Sequence, residues 1–186
     1  MSINKIAVVV SSVFLLAACM SSDNNTLQTD GFGPIRLGAE IKSLPASSEG
    51  LYDRIIPEFI EEYDWEGYVY HVESAGERIA TLTEDGGRIH AIDIHSDKLQ
   101  TADGYGLHDT VAEILAAGGI ASCDNYGFEG LLLKGMLYSG MELSPSGQKK
   151  AEIAYLDGLD QTFSEEDFIP GTHPTKITLA KWIAKE

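Results

Sequence analysis

GYVYHVESAGERIATLTEDGGRIHAIDIH, residues 67–95, decides the fold class. Apolar and polar residues alternate with a period of two over 67–74, 77–83 and 88–95, as strands with one buried face do. Asp85-Gly86-Gly87 supplies the conformational freedom of a tight hairpin, and Ala75-Gly76 marks the earlier turn. Tyr68, Tyr70 and Val72 share one side of the first strand, and Val69 and His71 the other. In the third strand Ile92 and Ile94 lie with His90, opposite Ala91, Asp93 and His95. The stretch therefore reads as a three-stranded antiparallel meander with an apolar face.

Upstream, Leu51, Ile55, Phe59 and Tyr63 recur every four residues behind Ser47 and Ser48. That spacing predicts a capped helix, kinked at Pro57, whose acids Glu58, Glu61, Glu62, Asp64 and Glu66 form a solvated face. Gly31 to Gly38, with Pro34 inside, predicts a short extended edge segment. Downstream, Thr110 and Glu113 have capping-box spacing ahead of Val111, Ile114 and Leu115, and Gly118-Gly119 ends that short helix. Extended segments are expected over 120–128, 131–137, 140–143, 151–156 and 175–182, with a second capping box at Ser164 and Asp167. Leu37 to Leu44 can be laid on Leu107 to Ile114, which suggests a helix-plus-sheet unit used twice. The fold class expected is α+β, an antiparallel sheet with short helices.

The chain opens with MSINK, followed by an apolar run from Ile6 to Ala18 and then Cys19. Thirteen residues of helix reach about 20 Å, short of a hydrocarbon core but the right size for an export signal. Leu16-Ala17-Ala18-Cys19 resembles the bacterial lipobox, in which the cysteine is acylated and becomes the new N-terminus. The resemblance implies a signal peptide at 1–18, a lipid-anchored linker at 19–30 and a single domain at 31–186. It also implies a location in the bacterial cell envelope. Met20-Ser21 after the cysteine, without Asp, implies the outer membrane, facing the periplasm, when the cell has two membranes. Lipidation of Cys19 leaves Cys123 with no intramolecular partner, so it reads either as a small buried hydrophobe or as a catalytic thiol.

Acidic residues number 29 against 13 basic, a formal charge of −16, which excludes affinity built on neutralising nucleic-acid phosphates. The glycine-rich opening, IRLG at 35–38, RIHAIDIHS at 88–96 and the Gly104 to Leu115 helix entry look like an uncharacterised group of bacterial envelope lipoproteins. More distantly, the glycine-then-helix entry before antiparallel strands is similar to the small outer-membrane assembly lipoproteins and the secreted beta-lactamase inhibitor proteins. That likeness implies an α+β domain that binds another protein through its sheet or loops and implies no catalytic residue; the paired cysteines of the inhibitor group are missing. Two functions are thus expected. One is a membrane-tethered envelope module binding a protein or glycan through Tyr63, Trp65, Tyr68 and Tyr70. The other is a small envelope hydrolase built on Asp93, His95 or Cys123. Neither calls for a metal or another cofactor.

Overall fold

The computed structural model describes residues 25–62, 65–124, 127–157, 161–181 and 183. It is mainly β, with an eight-stranded antiparallel sheet, a small four-stranded sheet and two helices, one of them short. The expected meander is its centre: β5 (Trp65–Ser74), β6 (Glu77–Asp85) and β7 (Arg88–Ile94). Both connecting turns have two residues with positive φ, Ala75 (53°) and Gly76 (83°), then Gly86 (59°) and Gly87 (77°). That conformation matches the twist of the flanking strands.

Other elements depart from the sequence reading. The extended segment expected at 131–137 is broken by a turn at Lys134 and Gly135, with φ of 51° and 73°. The predicted helix at 51–63 is the edge strand β4 (Arg54–Glu62), paired with β5 from Arg54↔Glu73 to Glu62↔Trp65. Pro57 would break a helix interior but is tolerated on an edge strand, and the β-branched Ile55, Ile56 and Ile60 favour extension. Ser48 bridges Tyr52 and caps no helix. The strand expected at 151–156 belongs instead to α2 (Pro145–Asp157), since Pro145 fits a first helical position and Ser144 Oγ accepts from Gly147 N at 3.3 Å. Residues 140–143 are irregular, held to the chain beyond by the bridge Leu143↔Phe168 and by the hydrogen bonds of Glu142 with Ile169 N and Thr172 Oγ1. The folded domain also begins before residue 31: β1 (Thr26–Gln28) pairs with β2 (Gly31–Phe32) and with β8 (Gln100–Thr101), and Leu27 is buried.

β3 (Ile35–Arg36) completes the small sheet, and the remaining strands of the large one are β9 (Ile120–Asp124), β10 (Gly127–Leu133), β11 (Met136–Ser139) and β12 (Lys176–Ala180). The order of the large sheet is β4-β5-β6-β7-β12-β11-β10-β9. Two runs of four sequential strands therefore meet through their last members, β7 and β12. A 3-10 turn at Ile41–Ser43 precedes the first run, and α1 (Val111–Ala116) precedes the second. Both capping boxes form: Thr110 N donates to Glu113 Oε2 at 2.8 Å, and Ser164 N to Asp167 Oδ2 at 2.8 Å.

One face of the large sheet carries the core. Val72, Ala80, Ile94, Ile177, Tyr138 and Leu131 lie in register across six strands and pack with Leu27, Phe32 and Ile35 of the small sheet and Val111 and Ile114 of α1. Ile92 and Ile94 are buried as expected, but His90 is exposed and Ile89 buried in its place. A bulge between Thr83 and Glu84 shifts the alternation by one residue there. Among the described residues no helix is long and apolar enough to cross a membrane.

Candidate functional site

The core face is covered unevenly, and this creates the candidate site. On the β4–β5 hairpin the register places Phe59 opposite Tyr68 and Pro57 opposite Tyr70, on the same face as Val72. Phe59 and Tyr68 meet edge to face with ring centroids 5.2 Å apart, and Tyr70 follows 6.4 Å from Tyr68. Phe59 is 53% exposed and Tyr68 46%. Three adjoining rings thus form a ladder running off the covered part of the core. At its inner end Tyr70 lines a depression of about 250 Å³ with Glu40, Lys42 and Glu84. Tyr70 Oη donates to Glu84 Oε2 at 3.0 Å. Burial first, and then that bond and the Glu84 charge, push the Tyr70 phenol above its ordinary range.

Of the binding residues expected from sequence, the structure brings Tyr68 and Tyr70 together. Phe59, assigned only to a helical apolar stripe, joins them; read as a strand, its position opposite a tyrosine would have exposed the ladder. Tyr63 and Cys19 lie outside the described residues. Trp65 closes the hairpin as the partner of Glu62.

Two of the catalytic candidates, Asp93 and His95, fall on the opposite, outer face. His71, Thr81 and Asp93 are in register across β5, β6 and β7, with Glu58 on β4 and Thr178 on β12 beside them. Glu58 Oε2 stands 2.5 Å from His71 Nε2, and Thr81 Oγ1 stands 3.0 Å from His95 Nε2 and 3.5 Å from His71 Nδ1. A hydroxyl has one proton to donate, so only one of the two rings accepts from Thr81. Thr178 Oγ1 donates to Asp93 Oδ1 at 2.6 Å, and Lys176 Nζ lies 3.5 Å from Asp93. Burial lowers the His95 pKa, and Asp93 opposes that shift while Arg78, Lys176 and His71 add to it. Sequence reasoning missed Glu58, Thr81, Thr178 and Lys176, because partners on neighbouring strands depend on register.

This row sets hydrogen-bonding side chains next to one another on an open sheet face. The open depression beside His95, about 400 Å³, is lined by Glu77, Arg78, Ser96 and Pro174 and includes neither Asp93 nor Cys123. Cys123 is on β9, four strands from β7 and so about 19 Å away; it cannot act with Asp93 or His95. Among the described residues no three His, Cys, Asp or Glu side chains converge to hold a metal ion.

The architecture is thus a mainly β fold of the α+β kind. The crystal structure of the uncharacterized protein yfeY from Escherichia coli is similar to it, with a TM-score of 0.52 and 13% sequence identity over 84% of this chain and 99% of that chain. At that identity the likeness is one of fold alone. No protein-family model matches the chain, and no curated protein is significantly similar to it.

Proposed function

We propose that this chain is a lipid-tethered binding module of the bacterial envelope whose partner is a protein, held through Phe59, Tyr68 and Tyr70. The observation that carries the reading is the ladder itself. Rings in contact offer large apolar area at little cost in rotamer entropy, and a cluster exposed to water stabilises the free domain less than it stabilises a complex. The depression beside His95 includes neither Asp93 nor Cys123, which favours binding over hydrolysis by those groups. Acylation at Cys19 supplies the tether. The seven Cα steps from Cys19 to Thr26 span at most about 25 Å, which keeps the domain at the membrane surface.

A unit used twice accounts for the topology. It is supported by the mirrored strand order and by the positions of the 3-10 turn Ile41–Ser43 and of α1, each ahead of four strands.

The test is site-specific photo-cross-linking in intact cells. A photoreactive side chain at Tyr68 of the acylated protein is expected to give a discrete protein adduct, and one at Glu152 on α2 none. Adducts equal in number and pattern at the two positions would remove the assignment. Cys19→Ser is expected to move the protein out of the membrane fraction without incorporating labelled fatty acid; labelling equal to wild type would defeat the tether.

A further inference from the structure

We infer that the protein segment seated on this ladder is cationic, placing an arginine or lysine side chain over Tyr68 between Glu61 and Glu66. This rests on the binding-module reading and adds the chemistry of the partner.

The first observation is an unfavourable pair. Glu61 and Glu66 stand directly opposite each other, one step beyond Phe59 and Tyr68, on the face that carries the ladder. Both are exposed, and neither has a cation within ion-pair distance among the described residues. Like charges directly opposite destabilise a strand pair, and a positive group from outside relieves the repulsion.

The second observation is independent of that pair. In the other half of the sheet the chain closes its own aromatic cluster with a cation. Phe128 on β10 packs against Phe163 and Phe168, and Lys150 Nζ lies 5.5 Å from the Phe163 ring centroid while bonding Asp167 Oδ2 at 2.6 Å. Lys134 repeats the arrangement, 4.8 Å over the Tyr105 ring and paired with Asp103. Ammonium over an aromatic face with a carboxylate beside it is thus a contact made twice among the described residues. Among the described residues, only the aromatic and acidic parts of it are present at Tyr68. A chain of charge −16 also steers a basic segment toward it.

The probe is a ten-residue peptide with three arginines spaced by glycine and serine, set against the same peptide with citrulline, which keeps the shape and removes the charge. Titration at physiological ionic strength is expected to show the arginine peptide binding at least about tenfold more tightly. Tyr68→Ala and the double variant Glu61→Gln/Glu66→Gln should each weaken it about fivefold, while Asp97→Asn/Glu152→Gln, which removes the same charge elsewhere, should change it less than about twofold. Unfolding midpoints no lower than wild type in the Gln variant separate loss of contact from loss of fold. Equal binding of the citrulline peptide, equal loss in the distant control, or no arginine-peptide binding overturns the inference. So does binding of neutral chitotetraose at Tyr68. If such a result comes with an intact Tyr68 cross-link in cells, the cationic assignment fails alone; if the cross-link is also absent, the module reading fails with it.

Discussion

The two halves of the large sheet, β4–β7 and β9–β12, use the same four-strand meander and finish it differently. In the second half the chain leaves the sheet between β11 and β12, and α2 and the segment 161–169 fold back over β10. Gly147 lets α2 approach so closely that a Cβ there would stand 1.9 Å from Asp167 O. The result buries Phe163 and Phe168 against Phe128. In the first half β6 turns straight into β7 through Gly86-Gly87, with no insertion to do the covering. Phe59 and Tyr68 consequently stay in water. One length of chain thus separates an aromatic cluster that serves stability from one left available for binding.

The largest expected effect tests that contrast directly. Phe168→Ala removes a ring that is 2% exposed and should cost about 3–5 kcal/mol of unfolding free energy. Tyr68→Ala should cost less than about 1 kcal/mol, since half its surface already faces water. Chemical denaturation of the two variants measures both; comparable losses would mean that the ladder is core and the comparison false.

The cover itself depends on Asp167. Burial disfavours its charged form, but hydrogen bonds from Lys150, Ser164 N and Ser164 Oγ outweigh that and hold the carboxyl below its usual range. A depressed carboxylate pKa contributes stability that is present above the unfolded value and lost as pH falls through the folded one. Asp167→Asn should therefore destabilise by about 3 kcal/mol at pH 7, by progressively less below about pH 4, and should expose the Phe128 cluster to fluorescent apolar dyes. A deficit unchanged between pH 7 and pH 3 would show that packing, and not the charge, holds the cover.

What the sequence made legible follows from the range of the interactions. The β5–β7 meander could be read because alternation and two-residue turns are local, and both capping boxes because three residues contain them. β4 could not. Leu51, Ile55, Phe59 and Tyr63 fit a helical stripe, and only the partner strand makes extension the better state; Pro57 was the local signal against the helix. At 151–156 helix formers outweighed a weak alternation. The ladder was half visible, as a run of aromatics, and its exposure depended on an α2 cover that only one half of the sheet possesses. The outer row of Glu58, His71, Thr81 and Asp93 needed four strands in register, which no single segment specifies.

A smaller effect sharpens the comparison from the ladder's side. Glu61→Lys turns the like-charged pair with Glu66 into an opposite-charged one and should stabilise the free domain by about 0.5 kcal/mol, while eliminating binding of the arginine peptide. Raising the salt concentration should shrink the stability gain. A destabilised Glu61→Lys domain would mean that the carboxylate is already satisfied within the hairpin.

The smallest effect concerns pH, and it too falls on one half. His71 and His90 are on β5 and β7 and His95 follows β7, whereas β9–β12 contain no histidine. Burial makes folded His95 a weaker base than in the unfolded chain, with Asp93 only partly restoring it. The unfolded chain therefore takes up the proton first as pH falls through about 6.5, so this contribution is present at higher pH and lost on acidification. Part of the His95 surface remains in water, which keeps the slope shallow through solvent screening. Thr81 Oγ1 stands 3.0 Å from His95 Nε2, so protonation of the His95 ring removes that nitrogen as an acceptor for the Thr81 hydroxyl. Amide exchange corrected for intrinsic rates should lose protection at Thr81 and Asp93 between pH 7.5 and pH 5.5, and keep it at Leu131 and Tyr138. His95→Gln should flatten the loss. Equal loss in both halves would mean that the seam at β7 and β12 transmits the change and that the sheet opens as one unit.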